Sequence, residues 1–189
     1  MKCSIVDVFA ETRFAGNQLA VVSDCAELPT EGMQSIAQEN NLSETAFFVQ
    51  EADHFAIRWF TPTVEVDLCG HATLASAYVL FNLLGYDKEE IVFNSVHSGM
   101  LKVTRKDDKL TLHFPADVPA SYDINQDLVD CFTQLPILAF KGKDDFMLVF
   151  ENQEQIQSLD PDITAIARLN ARGLIATAPG DKVDLNPGH

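Results

Sequence analysis

The stretch RWFTPTVEVDLCGHATLASA, residues 58–77, carries the transition that decides the fold. Its first residues close an alternating run, 54–60, in which Phe55, Ile57 and Trp59 share one face, as a half-buried strand requires. The pattern then changes. Across residues 71–84 nearly every side chain is small or apolar (Ala72, Leu74, Ala75, Ala77, Val79, Leu80), and Gly85 supplies a C-terminal stop. A helix that is apolar on all sides has to be enclosed by protein. It is also far shorter than the roughly 20 residues of a membrane span. The spacing therefore predicts a strand, a loop and a buried helix that starts at Cys69-Gly70-His71.

Strand patterns lie on either side of this stretch. Residues 4–9, 19–23, 46–50 and 91–94 read as strands, and 46–50 and 54–60 flank the hairpin connection Glu51-Ala52-Asp53. Leu101 and Val103 alternate before the polar turn 106–109, and Leu110, Leu112 and Phe114 alternate after it. Met33, Ile36 and Ala37 recur at i, i+3 and i+4 within 31–40, the spacing of a short amphipathic helix. About seven strands around one apolar helix predict a curled sheet wrapped on it. Beyond Pro115 the texture changes. Pro115, Pro119 and the polar residues 121–126 read as a linker. A short helix near 128–132, strands at 137–140, 146–150 and 173–177, and helices within 152–159 and after Pro161 follow. The expected organisation is α+β, with a first domain over 1–118 and a partial second domain over 119–189.

Composition narrows the function. Twenty-eight acidic against 13 basic side chains give a net charge of −15, and the few cations are not clustered. A nucleic-acid surface needs clustered Lys and Arg to displace counterions, so no nucleic-acid partner is expected. Asp7 and Glu11 interrupt what would have to be an apolar leader, so a cytoplasmic protein with no membrane partner is expected. Cys3, Cys25, Cys69 and Cys131 lack CxxC spacing, which fits reduced thiols better than disulfides or a zinc site.

Three polar islands carry candidate chemistry. The start of the buried helix offers unpaired backbone N–H groups for a carboxylate or phosphate, Gly70 permits close approach, and His71 can donate to a ligand or relay a proton. Glu44 stands between a polar turn and an apolar strand. Ala46 and Phe47 are expected to strip water from it and raise its pKa, as suits a general acid/base. The amides of Asn17 and Gln18, beside Gly16, suit either a turn or a substrate.

The segments FAGNQLAVV (14–22), NLSETAFF (41–48) and RWFTPTVEVDLCGHATLASA, in that order, resemble the phenazine-biosynthesis PhzF-like family. The resemblance covers the chain strongly to about Pro115 and more faintly to about Val183. It implies the diaminopimelate-epimerase-like fold: two similar domains, each a sheet wrapped on a central helix. It implies proton transfer without a cofactor, with Glu44 of the SET motif as acid/base. Gly70, His71, Asn17 and Gln18 would bind a small carboxylate-containing substrate, and a homodimer is an expected assembly. The family's type member isomerises a dihydro-hydroxyanthranilate. Cys69 stands where related epimerases and racemases have one of two catalytic cysteines, which gives a second reading as a thiol-based epimerase; no partner cysteine matches the other position. The family's second domain also carries a loop resembling EDPVTGSAH, and no segment here matches it. An incomplete second domain, with activity impaired or reduced to a binding or dimerisation role, is therefore a third expectation.

Overall fold

The computed structural model describes residues 1–12, 14–181 and the backbone of 186–187. The chain divides into two compact units, Met1–Pro115 and Ala116–His189.

The first unit is a curled sheet on a helix. Its strands are β1 (Lys2–Val8), β2 (Asn17–Ser23), β3 (Thr45–Glu51), β4 (His54–Phe60), β5 (Glu65–Val66), β6 (Glu90–Ser95), β7 (Gly99–Lys106) and β8 (Lys109–His113). They run in the order β1-β2-β3-β4-β6-β7-β8, with β5 paired to β4. Two helices serve the sheet: α1 (Thr30–Asn40) crosses between the parallel strands β2 and β3, and α2 (Gly70–Asn82) is the central one. Every strand predicted before Pro115 is present, and the 54–60 strand has the predicted bounds. The two-residue β5 is too short to leave a period in the sequence.

Burial explains why α2 sits where it does. Ala72, Ala75, Ala77, Val79, Leu80 and Phe81 are buried against Leu19, Val21, Ile57, Trp59, Phe93 and Leu101 of the surrounding strands. Its polar side chains are neutralised locally: Thr73 Oγ1 donates to the Cys69 carbonyl at 2.6 Å and Ser76 Oγ to that of Ala72 at 2.8 Å. Enclosure is not complete. The sheet ends at β1 and β8 without joining them, and a groove bordered by Val6, Val8, Leu110, Leu74 and Tyr78 leaves Tyr78 47% exposed. An all-round apolar sequence does not reveal which side the sheet leaves open. A second, smaller core under α1 joins Met33 and Ala37 to Phe47 and Phe60.

The second unit has β9 (Ala120–Tyr122), α3 (Gln126–Val129), β10 (Leu138–Lys141), β11 (Asp145–Val149), α4 (Gln153–Gln157), α5 (Ile163–Ile166), β12 (Gly173–Ala178) and β13 (Asn186–Pro187). The five strands form one sheet, and β11 and β12 are parallel. The stretch expected to be a linker instead starts with β9, which pairs with β10. Its three residues are all exposed, so no burial pattern marked it. The core gathers Leu128, Phe146, Leu148, Phe150 and Ile156. The residues after Val183, where the resemblance ends, fall mostly outside the described residues. No helix among the described residues is long and apolar enough to cross a membrane.

Candidate functional site

Two segments meet at the N-terminal end of α2. The first is the loop from β4. Arg58 holds Glu65 through two hydrogen bonds of 2.7 Å, reaches Thr30 at 3.0 Å and lies 5.1 Å over the Phe60 ring. Thr61 Oγ1 accepts the backbone N–H groups of Thr63 and Val64. Ser98 Oγ donates to the Asp67 carbonyl at 2.7 Å. These ties fix residues 61–67, and the chain then delivers Cys69 as the extended residue before the first helical turn.

The second segment follows α1. Asn41 adopts a left-handed conformation (φ 49°), which ends the helix and turns the chain toward β3. Ser43 Oγ donates to the Gln18 carbonyl at 3.0 Å, and the Glu44 carbonyl accepts the Ala20 N–H at 3.2 Å. Parallel pairing of Ala20 with Thr45 continues that contact into the sheet. Glu44 is thus presented at the end of a buried strand.

Glu44 Oε2 lies 2.8 Å from His71 Nε2, with both side chains about four-fifths buried. The oxygen has no aligned hydrogen-bond donor among the described residues. The contact is therefore an ion pair rather than an aligned hydrogen bond. On the other edge of the ring, His71 Nδ1 is 3.6 Å from Cys69 Sγ. The Asn17 amide is 3.4 Å from Nε2. When the ring is a cation with both nitrogens protonated, that amide has to present its oxygen to it.

The pair holds both groups charged. The contact with His71 keeps the Glu44 carboxyl below its ordinary range; burial opposes this, and Ser43 and the charge on His71 add to it. His71 is pushed up to about 10, first by the Cys69 sulfur, then by Glu44, against burial. The expected rise at Glu44 is thus reversed. Ala46 and Phe47 do bury their surroundings, but a cation at 2.8 Å outweighs the lost water. The sequence does not show that His71, distant along the chain, arrives there.

Of the residues singled out from the sequence, Asn17, Glu44, Cys69 and His71 come together. Gln18 faces the other way: it pairs with Asp7 in the β1/β2 register, one step from Asn17, so its side chain lies on the opposite face of the sheet. Its contribution is the backbone carbonyl that anchors Ser43. Ser43 itself was not singled out, and only its place beside Glu44 in the SET motif pointed to it. Gly70 has a packing role, since a Cβ there would lie 2.7 Å from the Phe114 ring. Cys25 and Cys131 are buried, which pushes both thiols up, while Cys3 is exposed. A cleft of about 960 Å³ bordered by Phe48, His54, Leu80 and Tyr86 lies at the C-terminal end of α2 and includes none of the site residues.

Residues 6–186 match the model of the PhzC-PhzF family, described as phenazine biosynthesis-like protein. The chain belongs to this family. An uncharacterized isomerase of Pseudomonas aeruginosa is 44% identical over 179 residues, which cover 95% of this chain and 68% of that protein. The mouse phenazine biosynthesis-like domain-containing protein 1 is 41% identical over 135 residues, covering 66% of this chain and 46% of its own length. The crystal structure of a PhzF family protein from Enterococcus faecalis superposes with a TM-score of 0.89 at 43% identity, over 98% of this chain and 71% of that one. A predicted epimerase of Pseudomonas aeruginosa shares the fold with a TM-score of 0.66 at 20% identity. The curled sheet on α2 is therefore the PhzF fold, of the diaminopimelate-epimerase-like α+β kind.

Proposed function

We propose that the chain is a PhzF-type isomerase that moves a proton on a small substrate bearing a carboxylate, with Glu44 as the base. The observation that carries this reading is the 2.8 Å ion pair between Glu44 and His71 at the start of α2. Glu44 begins ionised, with its side chain about one-fifth exposed, which is the state of a base about to accept a proton from carbon. His71, held as a cation, supplies the charge that a substrate carboxylate or a developing enolate oxygen needs, and the first N–H groups of α2 add to it. Asn17 orients the ring. Glu44 then returns the proton to another carbon of the same conjugated system, so no net proton is consumed. Three relatives bear the name uncharacterized isomerase, in keeping with this chemistry. The test is exchange between a bound substrate and deuterated water. Glu44→Gln should abolish it with the fold intact, and Cys69→Ala should leave most of it.

One observation favours a second reading. Cys69 Sγ lies 3.6 Å from His71 Nδ1, close enough to exchange a proton with the ring in a thiol-based epimerisation. That reading predicts the reverse: Cys69→Ala abolishes exchange. A purely binding or dimerising role predicts no exchange in any variant. The alignments span about two thirds of the related isomerases, so activity of this chain is itself part of the proposal.

A further inference from the structure

The cleft at the C-terminal end of α2 has a chemistry opposite to that of the site at its N-terminal end. It holds about 960 Å³, the size of a small-molecule site, and no step of the proton transfer uses it. We infer that this cleft binds an organic cation, an ammonium group carried on an apolar body.

Three separate features select that class. The first is the floor. Phe48, Phe55 and Tyr86 form a connected aromatic set, with ring centroids 5.8 Å apart for the first two and 5.6 Å apart for the last two, and Tyr86 is only partly buried. Ring faces attract cations, and Lys88 Nζ already lies 5.9 Å from the Tyr86 centroid. The ring thus has a place for an ammonium, which the protein fills with an exposed side chain of its own. The second feature is the rim. Asp24, Glu27, Asp53 and Asp87 border the cleft against Lys2 and Lys88. Lys2 lies 4.0 Å from Asp24, so those two charges offset each other, and His54 turns its ring nitrogens to Glu51 and Asp53 at 3.3 Å each. Glu27 and Asp87 have no ion-pair partner among the described residues. The third feature is the helix end. The last turn of α2 carries the negative end of the helix dipole and no basic side chain, and Leu80 in that turn lines the cleft. An anion meets all three unfavourably. A small inorganic cation keeps its water and gains little from the aromatic floor, so the apolar body is part of the assignment.

Phenylethylammonium is the probe, and phenylpropionate, a similar body of opposite charge, is the control. Titrated into the isotope-labelled protein, the amine should shift the amide signals of Gln50, His54, Tyr86 and Lys88 in a saturable way and leave those of Gly70 and His71 in place; the acid should leave the first group unmoved. Asp87→Asn should weaken amine binding at least about threefold, and Tyr86→Leu at least about fivefold. Lys88→Met clears the ring face and should tighten binding at least about threefold. Lys109→Met, the same change of charge outside the cleft, should not. Tyr86 also packs on Phe81, so circular dichroism checks that variant; Asp87 and Lys88 are exposed, and their substitutions carry the test if Tyr86→Leu unfolds. No saturable shift at the cleft, equal shifts with the acid, or an affinity in Lys88→Met no higher than in Lys109→Met overturns the inference. The titration needs no turnover, so its outcome is independent of the isomerase proposal.

Discussion

At the scale of the residue, the Glu44–His71 pair makes a prediction about pH. His71 is raised from 6.5 to about 10, so its contribution to stability is fully present below pH 6.5 and is lost as pH rises toward 10. Glu44 is lowered from 4.5, so its contribution is present above pH 4.5 and is lost as pH falls through the depressed value. The advantage of the native protein over His71→Ala should therefore be greatest between pH 4.5 and 6.5, and should shrink on both sides. Urea unfolding at a series of pH values measures it; a difference that is flat from pH 4 to 10 would refute the pairing. Glu44 and His71 were both legible as candidates, because a carboxylate beside apolar residues and a histidine at a helix start are conspicuous. Their effect on each other was not, since it depends on a contact between distant segments. Gln18 was misread for a simpler reason. Neighbouring residues of a strand face opposite ways, so Asn17 and Gln18 cannot both line one cleft.

Elements were read more completely than contacts, because their signals are local. Periods of two and of 3.6 residues appear wherever a face is buried, and they fail where nothing is: exposed β9 and two-residue β5 left no trace. For α2 the consequence is graded. Leu80→Ala removes a side chain that is 3% exposed and should cost about 2–5 kcal/mol. Tyr78→Ala, on the side that the sheet leaves open, should cost far less. Equal losses would mean that the groove between β1 and β8 is filled. Gly16 is a different case, because it lies where the loop from β1 passes back over its own strand. A Cβ there would stand 2.3 Å from the Val8 carbonyl oxygen, which is backbone and cannot move aside. Gly16→Ala should lower stability by about 1–3 kcal/mol, read from the shift of the urea midpoint at constant slope.

At the scale of the whole molecule, the two units have separate cores, and both cores under the first sheet draw only on residues before Pro115. A fragment of residues 1–115 should therefore unfold in one cooperative transition; a gradual, non-cooperative loss of signal would show that it depends on the rest of the chain. The site itself is joined by one backbone hydrogen bond of use to an experimenter. The Ala20 N–H, fully buried, ends on the carbonyl of Glu44. That amide cannot trade its hydrogen with solvent until β2 and β3 part, and their parting is also what would release Glu44 from His71. The exchange lifetime of a single alanine amide thus serves as a clock for how often the two segments of the site come apart.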